Sequence, residues 1–208
     1  MTDHSVPTLV HLVDDDASVR AALEDLLASV GLSTRSYVSA ADFLDRAPLD
    51  EPGCLILDVR MPGMNGLDLQ QELQCRGLAL PIVFITGHGD IPMSVRAMKQ
   101  GALEFLTKPF REQDLLDAID QALRKAQDGH AQRRQLQELQ TRFDTLSEGE
   151  RAVLARVVTG LLNKQIAAQL GVSEITVKVR RAALMRKLQA GSLAELVKMV
   201  ERLEASRT

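Results

Sequence analysis

Residues 55–66 read Leu-Ile-Leu-Asp-Val-Arg-Met-Pro-Gly-Met-Asn-Gly, LILDVRMPGMNG. Together with Gly53 and Cys54 the stretch opens as a short apolar run, Gly53 to Leu57, of the length that suits a strand buried on both faces. The run ends on a carboxylate, Asp58, and a Pro-Gly turn follows. Similar runs recur at Leu9 to Val13, Pro81 to Ile85 and Leu103 to Leu106, with a weaker candidate at Leu32 to Val38. Between them lie helical patterns, such as Val19, Leu23, Leu26, Leu27 and Val30, or Val95 and Met98 closed by Gly101. Strands alternating with helices predict an α/β domain: a doubly wound, five-stranded parallel sheet with helices on both faces.

In such a sheet the carboxyl ends of the strands converge on one crevice, where ligands bind. The residues at those ends are Asp14, Asp15 and Asp16 after the first strand, Asp58 after the third, Thr86 after the fourth, and Lys108 followed by Pro109 after the fifth. Asp16 serves as cap for a helix over Ala17 to Val30. Capping accounts for one Asp in a loop, not for Asp14, Asp15 and Asp58 together, whose mutual repulsion calls for a cation. Oxygen-only ligands select a hard divalent ion, Mg²⁺ foremost. A metal ion and the Lys108 ammonium flanking one carboxylate suit a nucleophile that accepts a phosphoryl group, with Thr86 donating to the transferred oxygens. His88 lies alone between two glycines and reads as a loop feature.

The 208 residues are 45% hydrophobic and 25% charged, enough for ordinary cores and for one or two domains, which excludes disordered and fibrous classes. Aromatics are only 3%, so cores must be aliphatic and a binding face of stacked rings is not expected. The net charge of −3 conceals a division. Residues 1–127 hold 11 Lys+Arg against 19 Asp+Glu, a net of −8, and residues 128–208 hold 14 against 9, a net of +5. An acidic front and a basic back imply different partners. Cys54 and Cys75 are too few for a disulfide framework or zinc site and are expected to be core thiols of a reducing compartment. No leader pattern opens the chain and no apolar stretch approaches the roughly 18 residues of a membrane span, so a cytoplasmic protein with no membrane partner is expected.

VDDD at 13–16, LILDVRMPGMNG at 55–66, FITGHGD at 84–90 and EFLTKPF at 104–110 together resemble the receiver domain of two-component response regulators, over about residues 8–125. TGHGD followed by IPMSVRAMK is similar to the FixJ-type, StyR-like subgroup. The resemblance implies a flavodoxin-like strand order 2-1-3-4-5. It also implies Asp58 as phospho-acceptor, and Mg²⁺ held by Asp14, Asp15, Asp58 and the backbone carbonyl of Arg60. Thr86 becomes the switch hydroxyl, Phe105 the aromatic that moves with it, and Lys108 the phosphate partner, with Lys108-Pro109 often cis.

The expected domain limits are 1–125 for the receiver, 126–143 for a linker and 144–208 for a second module. The linker, KAQDGHAQRRQLQELQTRF, is either a continued helix with a thin stripe of Leu136, Leu139 and Phe143 or a flexible tether. After it, helical patterns occupy Ser147 to Thr159, Lys164 to Leu170, Glu174 to Leu188 and Ser192 to Leu203, with a capping box from Ser147 to Glu150. NKQIAAQLGVSEITVKVRRA, from Asn163 to Ala182, has the outline of a helix-turn-helix around Gly171-Val172-Ser173. Helical projection sets Val177, Leu184 and Leu188 toward a core and Ile175, Lys178, Val179, Ala182 and Arg186 opposite. Apolar Ile175 and Val179 suit thymine methyls and Lys178 a guanine acceptor, while Arg180, Arg181 and Lys187 lie on the flanks nearer phosphates. Thr176 and Lys164 complete the expected DNA-binding set.

LSEGERAVL, NKQIAAQLGVSEITVKV and MRKL resemble the LuxR/FixJ-type effector, a small all-α module of four helices. Two positions depart from its pattern: Gly149 stands where an Arg is usual, and Arg180 where a His is usual. The resemblance implies a sensor histidine kinase, double-stranded promoter DNA, RNA polymerase and a second copy of the chain as partners, and a transcriptional activator rather than an enzyme. The competing reading is a Mg²⁺-dependent aspartyl-phosphate phosphatase or phosphotransferase of small molecules. It leaves the basic module without a task, and Arg60 stands where such an enzyme would carry a second acid.

Overall fold

The computed structural model describes residues 8–48, 51–87 and 90–206; His88 lies outside them. The chain divides into two compact units, residues 1–131 and 132–208.

In the first unit five strands, β1 (Leu9–Val13), β2 (Ser33–Tyr37), β3 (Gly53–Asp58), β4 (Ile82–Thr86) and β5 (Glu104–Thr107), form one parallel sheet in the order β2-β1-β3-β4-β5. Between and after them run α1 (Ala17–Ser29), α2 (Ala40–Arg46), α3 (Gly66–Cys75), α4 (Ile91–Lys99) and α5 (Glu112–Asp144). Successive side chains of a strand point to opposite faces, so the central strands feed two cores. Val13, Leu55, Leu57 and Phe84 join Phe43 of α2, Leu69 and Leu73 of α3 and Ala97 of α4. Val10, Leu12, Cys54, Ile56, Val83 and Ile85 join Leu23 and Leu27 of α1 and Leu115, Ile119 and Ala122 of α5. All six residues of β3 are buried, whereas β2 alternates exposed and half-buried residues until Tyr37. The weaker apolar signal at residues 32–38 thus has a physical reason, because an edge strand covered on one face needs only every second side chain to be apolar.

The chain leaves β1 toward β2 on one side and returns to β3 on the other. That reversal opens a crevice at the carboxyl ends of β1 and β3, the switch point of a doubly wound sheet. Asp14 and Asp58 stand at its two rims. Gly66 holds the β3–α3 loop close: its N–H donates to the Val59 carbonyl at 2.9 Å, and a Cβ there would run into the Asp58 carbonyl oxygen. Cys75 is a correction to the expectation of two core thiols. Cys54 is buried, with its thiol pushed up to about 12 by burial, but Cys75 ends α3 in solvent.

The Gln-rich stretch is helical, since α5 runs unbroken from Glu112 to Asp144. Its last turns belong to the second unit, with Leu139 buried and Phe143 packed at the edge of that core. The second unit adds α6 (Glu148–Val157), α7 (Asn163–Leu170), α8 (Glu174–Leu188) and α9 (Leu193–Ala205). The capping box forms as expected: the Ser147 hydroxyl accepts from the Glu150 N–H, and the Glu150 carboxylate accepts from the Ser147 N–H. Gly171 ends α7 at φ 63°, the left-handed region where glycine carries no Cβ penalty, and Ser173 caps α8 two residues later. Val153, Leu154, Val157, Ile166, Val177, Leu184, Leu188 and Leu196 make the core. None of the described helices is long and apolar enough to cross a membrane.

Candidate functional site: an acidic crevice and a two-faced helix

Asp58, the last residue of β3, is only 6% exposed, and Asp14, directly after β1, 1%. Burial is the largest influence on Asp58 and raises its carboxyl above the usual range; Lys108 opposes this, and Asp14 and Asp15 add to it. One Asp58 oxygen accepts from the Arg60 N–H at 2.9 Å and the other lies 3.7 Å from the Lys108 ammonium. Lys108 donates to Asp14 at 2.9 Å, and the second Asp14 oxygen accepts from the Asp16 N–H at 2.9 Å. The Lys108 backbone N–H donates to the Thr86 carbonyl at 2.8 Å, and the Lys108-Pro109 peptide is cis. Asp16 does cap α1, accepting from Ser18 and Val19. Asp15 is exposed, Thr86 is buried, and Phe105 is half-buried with its ring 6.0 Å from that of Phe84.

Among the described residues three carboxylates, Asp14, Asp15 and Asp58, outnumber the cations Lys108 and Arg20 at the crevice, which keeps net negative charge and offers a metal only oxygen ligands. Among the described residues no three acidic, imidazole or thiol groups converge on one point as a self-sufficient metal cage. Mg²⁺ requires none, because it keeps several waters and takes one or two carboxylates directly. The donor set fits that ion.

On α8 the two faces separate as the projection requires. Val177, Leu184 and Leu188 are buried, while Ile175 is 74% and Val179 63% exposed. Lys178, Ala182 and Arg186 share the exposed face, and Lys164 of α7 is also exposed. Thr176 instead bonds the Ser173 hydroxyl at 2.8 Å, and Arg181 is half-buried, donating to Asn163 at 3.0 Å. Lys187 differs from the flank reading. It turns inward, donating to the Glu150 carboxylate at 2.6 Å and to the Thr145 carbonyl at 3.0 Å.

Comparison with known proteins follows this division. The response regulator receiver domain family matches residues 10–120, and the family described as bacterial regulatory proteins, luxR family, matches residues 144–200. The chain belongs to the two-component response regulators with a LuxR-type DNA-binding domain. It is 49% identical to nodulation protein W of Bradyrhizobium diazoefficiens over 205 residues, 99% of this chain and 90% of that protein. It is 47% identical to response regulator protein TodT of Pseudomonas putida over 199 residues, 96% and 88% of the two chains. Among solved structures, the response regulator StyR matches with a TM-score of 0.85 at 49% identity, covering 94% of this chain and 99% of that one. Full-length FixJ from B. japonicum matches with a TM-score of 0.58 at 38% identity, over 97% and 99%. This response regulator therefore falls in a family of transcription regulators rather than of classical enzymes.

Sequence reasoning missed three groups around these sites. Arg20 of α1 donates to the Asp14 carbonyl at 2.7 Å and brings a second cation to the crevice rim. Its position four residues after the Asp16 cap, one turn into the helix, was the available signal. His11, in β1, is buried with its Nδ1 3.0 Å from the Tyr37 hydroxyl, and burial lowers its pKa to about 4. The Glu150–Lys187 pair was hidden because the capping box alone already explained Glu150.

Proposed function

We propose that this response regulator is switched by transfer of a phosphoryl group from a histidine of a sensor kinase to Asp58. The switched form dimerises, binds promoter DNA through α8 and activates transcription with RNA polymerase. The observation that carries the reading is the buried Asp58 carboxylate facing the Lys108 ammonium across 3.7 Å, with Asp14 on the ammonium's other side.

Asp14, Asp15, Asp58 and the Arg60 carbonyl are the residues to hold Mg²⁺, which when bound neutralises charge on the transferring oxygens. An Asp58 oxygen attacks phosphorus, the bond from phosphorus to the donor imidazole nitrogen breaks, and that nitrogen keeps the electron pair. Burial that disfavours the charged carboxylate makes it more basic and a better nucleophile. Lys108 supplies a positive charge to the new phosphate, and the Thr86 hydroxyl donates to one of its oxygens. Phe105 then follows Thr86 and alters the surface of α4, β5 and α5, which favours a second copy. Two α8 helices of a dimer read half-sites about one helical turn apart. Ile175, Val179 and Ala182 contact bases by shape, Lys178 and Arg186 by charge, and Arg180, Arg181, Lys164 and Thr176 border the groove walls.

The test is to incubate the full chain with an acyl phosphate and Mg²⁺, follow the added mass, and measure duplex binding by gel shift. Wild type gains one phosphoryl group and binds more tightly; Asp58→Ala gains none and does not respond. An Asp58→Ala chain that responds like wild type overturns the reading, and steady hydrolysis of a sugar phosphate would replace it with the phosphatase.

A further inference from the structure

The two positions that depart from the LuxR-type pattern meet in space. A Cβ built on Gly149, in the first turn of α6, would lie 2.7 Å from Cζ of Arg180 and 2.9 Å from its Nε and Nη1. These nearly equal distances mean that the flat face of the guanidinium, not its N–H edge, covers Gly149. The seat exists only because residue 149 has no side chain.

With its face against Gly149, the Arg180 guanidinium has its N–H edge outside that contact. Its neighbours on α8 are otherwise engaged: Arg181 with Asn163, Lys187 with Glu150, and Lys178 within 3.5 Å of Glu174. No hydrogen bond or ion pair of Arg180 occurs among the described residues, although the residue is half-buried. A half-buried guanidinium, fixed in orientation with its donor edge unused, is the geometry that recognises a planar pair of anionic oxygens. On a helix whose exposed face enters the major groove, a flank position meets the sugar-phosphate wall rather than base edges.

We infer that Gly149 is a positioning residue for DNA binding, whose missing side chain seats the Arg180 guanidinium as a clamp for one backbone phosphate beside the recognition helix. The inference rests on the reading of α8 as the groove-reading helix. It also explains a glycine where helix propensity disfavours it. Alanine there would favour the helix but push Arg180, the movable end of a long side chain, out of its seat. Local stability and DNA affinity are thereby set against each other at one position.

The experiment uses the full chain, phosphorylated with an acyl phosphate and Mg²⁺, and a mixed-sequence B-form DNA duplex, with binding measured by fluorescence anisotropy over a range of NaCl concentrations and thermal melts run in parallel. Each phosphate contact contributes about 0.9 to the slope of log K against log salt. Gly149→Ala is expected to melt no lower than wild type while its slope flattens by about 0.9 for each protomer bound, about 1.8 for a dimer. Arg180→Ala should flatten the slope equally, and the double variant should be no flatter than Arg180→Ala alone. An unchanged slope in Gly149→Ala overturns the inference, as does a melting point below wild type, or a further flattening when the change is added to Arg180→Ala. Those results leave the DNA-binding reading intact; a wild-type chain that binds no duplex at all overturns both.

Discussion

His11 makes the stability of the receiver unit depend on pH in a direction and amount that the structure sets. The imidazole is 1% exposed, in β1, with Tyr37 and Phe43 against it and Arg35 opposite in register. Burial, and secondarily Arg35, holds its folded pKa at about 4, against 6.5 for a free histidine side chain. Between those values the unfolded chain binds a proton that the folded chain refuses, so stability is intact above pH 7 and falls as pH drops below 6.5. The full difference is about 3 kcal/mol, of which about 2 kcal/mol is lost by pH 5. Asp58 works oppositely, since its raised folded pKa makes protonation favour the native state as pH falls. A His11→Gln variant, which keeps a polar group near the Tyr37 hydroxyl but cannot titrate, isolates the His11 share by subtraction. The assay is intrinsic: with one tyrosine and no tryptophan in the chain, tyrosine fluorescence in urea reports unfolding at Tyr37 and therefore of this unit alone. Urea midpoints of wild type and variant at pH 7.5 and pH 5 give the comparison, with EDTA present so that no metal contributes. Wild type should lose about 2 kcal/mol more than the variant between the two values. A wild-type-minus-variant difference that stays constant with pH would show that His11 binds no extra proton on unfolding.

Two further outcomes follow from close contacts. Gly66→Ala forces a Cβ against the Asp58 carbonyl oxygen and within 3.1 Å of Leu57 and Phe84, so the tyrosine-monitored urea transition should weaken by about 1–3 kcal/mol. An unchanged midpoint would show that the β3–α3 loop yields freely. Lys187→Met removes the partner whose hydrogen bond holds the Glu150 carboxyl below its usual range, and the solvent-screened loss is about 1 kcal/mol. The helical melt of the second unit should drop by that amount at pH 7, with the deficit shrinking as acid protonates Glu150 in wild type, while the tyrosine transition stays fixed. A pH-independent deficit would assign the loss to packing by the lysine stem instead.

Much of the crevice was legible because each of its residues ends or directly follows a strand. The apolar runs located Asp14, Asp58, Thr86 and Lys108 without reference to one another, and the sheet order then brought them together. The helix-turn-helix was legible for a local reason too: a Gly in the left-handed region, a Ser cap and a 3.6-residue apolar stripe are all written within about two turns of chain. The features that escaped are pairs. His11 bonds Tyr37 from 26 residues away and Lys187 bonds Glu150 from 37. Neither partner carries a local pattern that betrays the other, and a lysine on a helix flank reads the same whether it faces phosphate or an internal carboxylate.

The two-part organisation, the acid-rich strand ends and the exposed apolar pair on α8 are written in the order of residues, because periodicity and charge are properties of neighbours along the chain. Which cations remain available is set by how the helices pack. Lys187 is drawn inward to a buried carboxylate, Arg181 is tied to Asn163, and Arg180 is laid flat over a glycine from the start of another helix. Those outcomes depend on which helix faces cross and how closely, and a charge goes to whichever partner that packing brings within hydrogen-bonding distance.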